Sequence, residues 1–275
     1  MKELPITKYH GCGNDFLLVH AADAAGLELE PLIVSACDRH TGIGADGFIV
    51  VVPDPLEMRF YNADGSSAPM CGNGIRCFAK FCLDEGITDA DSFAVQTGAG
   101  LKTVRIVSRT PFQAQIGMGT PDYSPAAIHG LSPHPMWEYE LQALGRTVTL
   151  YSFFMSTVHT VWFVDNAMDD ALLPVAENIH QNPVFQKKTN VNLVQVVDHR
   201  TIRMRTWERG VGPTLACGTG ACASALTALK RGVCQSEVDV LLPKGQLHIS
   251  IDPDEQVWMT GPACRTMKGV YCYDC

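Results

Sequence analysis

The sequence predicts an α+β fold of two mixed α/β halves, each a sheet wrapped on one long central helix. Two observations predict it. Short apolar, strand-like stretches alternate with glycine-rich turns along the 275 residues, and one phrase occurs twice, as Cys71-Gly72-Asn73-Gly74 and Cys217-Gly218-Thr219-Gly220, each time opening a helix-like run. A chain of this length with 46% hydrophobic residues supports one large core or two ordinary ones, and the repeat favours two.

In chain order, strands are expected at Phe16 to Val19, Phe48 to Val52 and Met58 to Tyr61. The first helix follows: Ile75, Phe78, Ala79, Cys82 and Leu83 recur at helical spacing and stop at Gly86. After a strand at Val104 to Val107, the segment Thr110 to Pro125, with three prolines and two glycines, reads as a turn-rich domain junction. His129 to Trp137 is turn-rich as well. Strands at Val148 to Phe154, Val161 to Val164 and Val191 to Val197 precede the second helix, where Cys222, Ala225, Leu226 and Leu229 share a face, Lys230 and Arg231 fill the last turn and Gly232 ends it. A strand at Val238 to Leu242 completes the series.

Cys71 and Cys217 therefore sit at helix N-termini. First-turn N–H groups have no partner inside a helix, and the aligned peptide dipoles put partial positive charge beside each sulfur. A thiol there is expected to ionise more readily than a free one, and the N–H groups can also hold a carboxylate. Two matched thiols then suggest one substrate approached from two sides.

A net charge of −8 and the lack of any Lys/Arg-rich block argue against nucleic acid and anionic membrane surfaces as partners. No signal-peptide core and no apolar span of membrane length is present, so a cytoplasmic protein is expected. Eleven cysteines cannot all pair within the chain. Cys37, Cys77, Cys82 and Cys222, in apolar surroundings, are expected to fill cores.

Rival motifs are weaker. Gly42-Ile43-Gly44-Ala45-Asp46-Gly47 has the GxGxxG spacing, but a strand-like run follows where a dinucleotide site needs a helix. Gly218-Thr219-Gly220-Ala221-Cys222-Ala223 fits the looser GxGxxA form and does open a helix, but a dinucleotide leaves Cys71 and Cys217 unexplained. Cys272-Tyr273-Asp274-Cys275 is a lone CxxC at a terminus, lacking two zinc ligands; Cys264 offers one, and a frayed tail is the plainer reading. His10, His40 and His159 lack metal-ligand spacing, so no metal is expected.

Taken together, the motifs resemble the diaminopimelate epimerase family, cofactor-independent amino-acid racemases, along nearly the whole chain. The resemblance rests on Lys8-Tyr9-His10-Gly11-Cys12-Gly13-Asn14-Asp15-Phe16, Asp38-Arg39-His40, Gly42 to Gly47, Asn62-Ala63-Asp64-Gly65-Ser66, Met70 to Cys77, Asn190-Val191, Thr206 to Gly210, Leu215 to Gly220 and Met259 to Ala263. It implies two pseudo-symmetric lobes with the active site in the cleft between them. Residues 1–118, joined by 265–275, are expected to form the lobe carrying Cys71, and 119–264 the lobe carrying Cys217. It further implies no cofactor, a small amino-acid substrate and a homodimer.

By the same resemblance, Cys71 and Cys217 are the acid/base pair, Cys71 serving the LL substrate and Cys217 the meso form. Gly72, Asn73, Gly218 and Thr219 grip the reacting carboxylate, Glu208 holds the ammonium group, and Asn14, Asn62, Thr157, Asn190 and Arg209 bind the distal end. His159 and Glu208 tune the thiols. Arginine suits a distal carboxylate because its planar fork binds bidentately; a surface ion pair is the plainer use of Arg209, and a turn cap that of Asn62.

The chain departs from the family pattern in three places. Thr157-Val158-His159 stands where Asn-Pro-His is usual, Gly212-Pro213-Thr214 where Gly-Glu-Thr is usual, and Met267 where an aromatic residue is common. Epimerisation of LL- to meso-diaminopimelate is the leading reading. A sister racemase acting on another amino acid, such as histidine, is the alternative; a thiol redox or metal-binding protein is the remote one.

Overall fold

Alternation of buried and half-buried residues marks the strands of this protein. In Phe112–Gly119 the side chains of Phe112, Ala114, Ile116 and Met118 are buried and those between them are not, the period-two pattern of a strand with one face on a core. Half of the segment read as a turn-rich junction, Phe112–Gly119, is therefore strand. Its prolines lie at the edges, and the alternating apolar positions between them decide the structure.

The structure is a computed structural model that describes residues 2–273. The chain divides into two compact units, Met1–Ile116 with Thr260–Cys275, and Gly117–Met259. The first unit begins with Lys2–Gly11, which pairs antiparallel with Cys264–Tyr273 on one side and with Asn14–His20 on the other. Asn14–His20 runs parallel to Gly47–Pro53, which pairs antiparallel with Leu56–Asn62. Leu56–Asn62 meets Ser92–Thr97 in parallel, and Gly100–Arg109 and Phe112–Gly119 follow antiparallel.

Parallel neighbours need long crossovers. Helix α1, Leu29–Cys37, lies in the first of them and α2, Gly72–Asp84, in the second. The second unit repeats this order: Met136–Ala143, Arg146–Phe154 and Val158–Phe163 pair antiparallel, Val158–Phe163 runs parallel to Asn190–Asp198, and Thr201–Glu208 pairs antiparallel with Asn190–Asp198. Glu237–Leu242 then runs parallel to Thr201–Glu208 and Gly245–Ile251 antiparallel to Glu237–Leu242. Here α3, Leu173–His180, and α4, Gly218–Lys230, lie in the two crossovers.

α2 is the central helix of its unit. Ile75, Cys77, Phe78, Ala79 and Cys82 are fully buried, so the helix is enclosed around most of its girth. Removing one large apolar side chain of this kind from water contributes about 1.5–3 kcal/mol. α4 is enclosed likewise through Ala221, Cys222, Ala225 and Leu226. Cys37, Cys77, Cys82 and Cys222 lie in these interiors. Burial pushes the Cys37 and Cys82 thiols up to about 12.

The GxGxxG stretch leads into Gly47–Pro53, a strand. The C-terminal reading is corrected up to Tyr273: Cys272 is no frayed tail but pairs with Glu3 in the ladder. Asp274 and Cys275 lie outside the described residues. Cys264 and Cys272 stand on one strand, eight steps of roughly 3.3 Å apart, too far to share an ion.

Candidate active site

The two motif cysteines occupy equivalent places. Cys71 is the N-cap of α2 and Cys217 the N-cap of α4, both in extended backbone. Their immediate surroundings differ. Cys71 Sγ accepts the Gly74 N–H at 3.4 Å, as a capping side chain does, and lies 3.8 Å from Asn14 Oδ1. Cys217 makes no such cap bond; its Sγ lies 3.5 Å from Thr219 Oγ1.

In the first unit the structure brings Asn14, Cys71 and Asn73 together. Asn73 Nδ2 donates to Asn14 Oδ1 at 3.0 Å, and Asn14 Nδ2 donates to Asp46 Oδ2 at 2.7 Å. Behind them lies Arg76, fully buried, which donates to Asn73 Oδ1 at 2.8 Å, to Gly72 O at 2.9 Å and to Pro262 O at 3.2 Å. Gly11 makes room for this guanidinium: a Cβ there would lie 2.9 Å from Nη2. Asp46 and Asp15 share Arg39, and Lys8 pairs with Asp15 at 2.9 Å. Burial alone would raise the Asp15 carboxyl, but hydrogen bonds from Arg39 and Lys8 hold it below the usual range. Asn62, opposite Gly47 in the ladder, donates through Nδ2 to Ser66 Oγ at 3.0 Å inside its own turn.

In the second unit His159, Cys217 and Thr219 converge. His159 is fully buried, with Nε2 2.9 Å from Thr219 Oγ1 and Nδ1 3.1 Å from Asn192 Nδ2. Burial, helped by the nearby charge of Arg209, pushes the imidazole down to about 3, so it is neutral at physiological pH. Asn190 Oδ1 accepts the Arg209 backbone N–H at 2.7 Å, and Arg209 Nη1 donates to Lys187 O at 3.2 Å. Glu208 Oε1 accepts from Thr214 Oγ1 at 2.6 Å. Thr157 lies in the turn beside Ser156, whose φ is +60°, and its carbonyl accepts the Met155 N–H at 2.8 Å.

The chain matches the diaminopimelate epimerase family profile over residues 6–123 and 152–266. It is 39% identical over 278 residues to a diaminopimelate epimerase of Halothermothrix orenii, covering 97% of each chain. The chain belongs to the diaminopimelate epimerase family. A second member, from Pseudomonas aeruginosa, is 39% identical over 97% of this chain and 98% of its own. Among solved structures, a hydroxyproline epimerase from Agrobacterium vitis superposes with a TM-score of 0.68 at 12% identity, covering 98% of this chain and 92% of its own. A PhzF-family phenazine biosynthesis protein of Bacillus anthracis gives a TM-score of 0.68 at 15% identity, with 99% and 100% coverage. These two likenesses carry the fold, a mixed α/β architecture of two lobes.

As a diaminopimelate epimerase family member, the chain shows its departures in defined places. Pro213 is exposed on the short strand Gly212–Thr214, opposite Trp207, and Thr214 beside it holds Glu208. Met267 packs against the core of the first unit. Sequence reasoning missed Asp46, Arg76, Asn192 and Thr206 as parts of the site. A signal existed for three of them: Arg76 interrupts an apolar helical run, and Asn192 and Thr206 stand at buried strand positions, where a polar residue needs a partner. Among the described residues no helix is long and apolar enough to cross a membrane.

Proposed function

We propose that the protein epimerises LL-diaminopimelate to meso-diaminopimelate without a cofactor, Cys71 and Cys217 exchanging the roles of base and acid. The observation that carries this reading is the pair of cysteines, each the N-cap of a thirteen-residue helix, in a chain of this family. Inverting an α-carbon removes a proton from one face and returns one to the other. A thiolate takes the α-proton, the opposite thiol protonates the carbanion, and the sulfurs have then exchanged states.

The carbanion is the difficult intermediate. First-turn N–H groups at Gly72, Asn73, Gly218 and Thr219 are the donors for the carboxylate that takes up its charge, each worth about 3–4 kcal/mol where water is excluded. Helix dipoles add about 0.3–2 kcal/mol per end, so the donors dominate. Glu208 holds the substrate ammonium, while Asn14, Asn62, Thr157, Asn190 and Arg209 take the distal headgroup. The proposed setting is a cytoplasmic homodimer.

Thr157 and Pro213 favour one competing reading, a racemase for another amino acid such as histidine. Separation of the stereoisomers after incubation tests both. Interconversion of LL- and meso-diaminopimelate, undiminished by a chelator, is expected; turnover of histidine or another amino acid with none of diaminopimelate sinks the first reading.

A further inference from the structure

The two cysteines share a place in the fold but not a hydrogen-bonding environment, and the difference has a direction. In the first unit the chain of bonds is anchored at both ends by groups that can act in only one sense. A guanidinium only donates, so Arg76 fixes Asn73 with Oδ1 toward itself and Nδ2 toward Asn14. A carboxylate only accepts, so Asp46, itself held by Arg39 at 2.7 Å, fixes Asn14 Nδ2 toward itself. The atom of Asn14 left facing Cys71 Sγ at 3.8 Å is a carbonyl oxygen, which calls for an S–H donor, while a lone pair of the same sulfur accepts the Gly74 N–H at 3.4 Å, a bond a thiol can also take.

In the second unit the order is reversed. Thr206 Oγ1 donates to Asn192 Oδ1 at 3.0 Å, and Asn192 Nδ2 donates to His159 Nδ1 at 3.1 Å. A neutral imidazole accepting at Nδ1 carries its proton on Nε2, which donates to Thr219 Oγ1 at 2.9 Å. The Thr219 hydroxyl proton is then directed to Cys217 Sγ at 3.5 Å, which calls for an acceptor.

The internal repeat shows that packing does not require this chain. The ladder positions matching His159, Asn192 and Thr206 in the first unit are Phe16, Ile49 and Phe60, all buried hydrocarbon, with the two rings edge-on at 5.9 Å. Glycine stands at the matching helix position in both copies: a Cβ at Gly220 would lie 2.4 Å from Asn192 Oδ1, and one at Gly74 3.3 Å from Ile49 Cδ1. A buried polar triad where the other copy of the fold uses apolar side chains points to chemistry, since burying polar groups is costly unless each is bonded.

We propose that these networks set the resting protonation states, Cys217 as thiolate and Cys71 as thiol, with Asn192 and Asn14 as positioning residues. The inference rests on the reading of both cysteines as acid and base. Asn192 acts through the His159 tautomer, Thr206 holds Asn192, and Thr219 delivers the proton. Charged groups bearing on the two chains include Arg209 beside His159, with Glu208 next to it in sequence, and Arg76, Asp46, Arg39, Asp15 and Lys8 around Asn14.

The test uses reduced, full-length protein without substrate. Iodoacetamide alkylation is followed at each cysteine by peptide mass spectrometry from about pH 5 to about pH 9.5, and the midpoint of each profile is read. The Cys217 midpoint is expected below that of Cys71. Thr219→Val is expected to raise it and to slow Cys217 alkylation at neutral pH by roughly tenfold, with Thr219→Ser restoring the wild-type profile. Midpoints in the opposite order, or a Cys217 profile unmoved in Thr219→Val, overturn the proposal. In wild-type protein with 15N-labelled histidine, the His159 signal, assigned by its loss in His159→Gln, is expected to show the Nε2–H tautomer, and an Nδ1–H tautomer overturns the role of Asn192. None of these readouts needs turnover, so a protein inactive on diaminopimelate can still pass them and an active one can still fail.

Discussion

His159 is neutral in the folded protein, and its response to acid follows from that. Its ordinary pKa near 6.5 falls to about 3 on burial, so between those values the unfolded chain binds a proton that the folded chain does not. Stability contributed by this group is complete above the unfolded pKa and declines as pH falls toward 3, at up to about 1.4 kcal/mol per pH unit. Urea unfolding across that window should show a steeper loss in wild type than in His159→Gln; equal slopes would remove the buried histidine from the explanation. Asp15, held below its usual range by Arg39 and Lys8, adds loss in the same direction as it is protonated at lower pH. On the proposed mechanism, Cys71→Ala and Cys217→Ala should each lower epimerisation by at least ~100-fold, because each would remove one of the two proposed proton-transfer groups, and stereoisomer analysis reads the loss.

At the scale of elements, α2 is tied to its unit by one buried cation. Arg76→Met keeps much of the side-chain bulk but removes the donors to Asn73, Gly72 and Pro262. Leaving these acceptors without that donor should cost about 3 kcal/mol, read as a lower urea midpoint. The two long helices were legible from sequence because apolar period, glycine stops and the repeated phrase agree. α1 and α3 were not: each is under ten residues long, and neither has a side-chain N-cap bond to announce it. Pro5 disguised the first strand. It is tolerated because Thr7–Gly11 pair with Asn14–Leu18, whereas at Pro5 the partner is Val270 alone. In the site, Asn14, Cys71 and Cys217 were legible inside short motifs, while the contacts of Asp46, Asn192 and Thr206 emerge only when strand register sets them beside Asn14 and His159.

The whole molecule is one topology used twice, each copy with its helix N-cap cysteine. The first copy is discontinuous in sequence, since Cys264–Tyr273 supplies the strand beside Lys2–Gly11. A chain ending at Ala263 should therefore lose the packing of Met267 and Tyr271 on that core and expose the unpaired edge of the first strand. Thermal unfolding should shift down by roughly 10 °C or more, or the protein should aggregate; an unchanged transition would show that the strand is dispensable.

The central claim is a two-thiol epimerisation, and solvent exchange at the α-carbon tests it most directly. Reduced enzyme is incubated with LL-diaminopimelate in D2O, with no added cofactor, and the α-proton is followed by proton NMR beside Cys71→Ala and Cys217→Ala. The account predicts loss of the α-proton signal together with appearance of the meso isomer in wild type, and neither in the two variants. A folded wild-type enzyme that leaves the signal intact, or a single-cysteine variant that still forms the meso isomer, would contradict it.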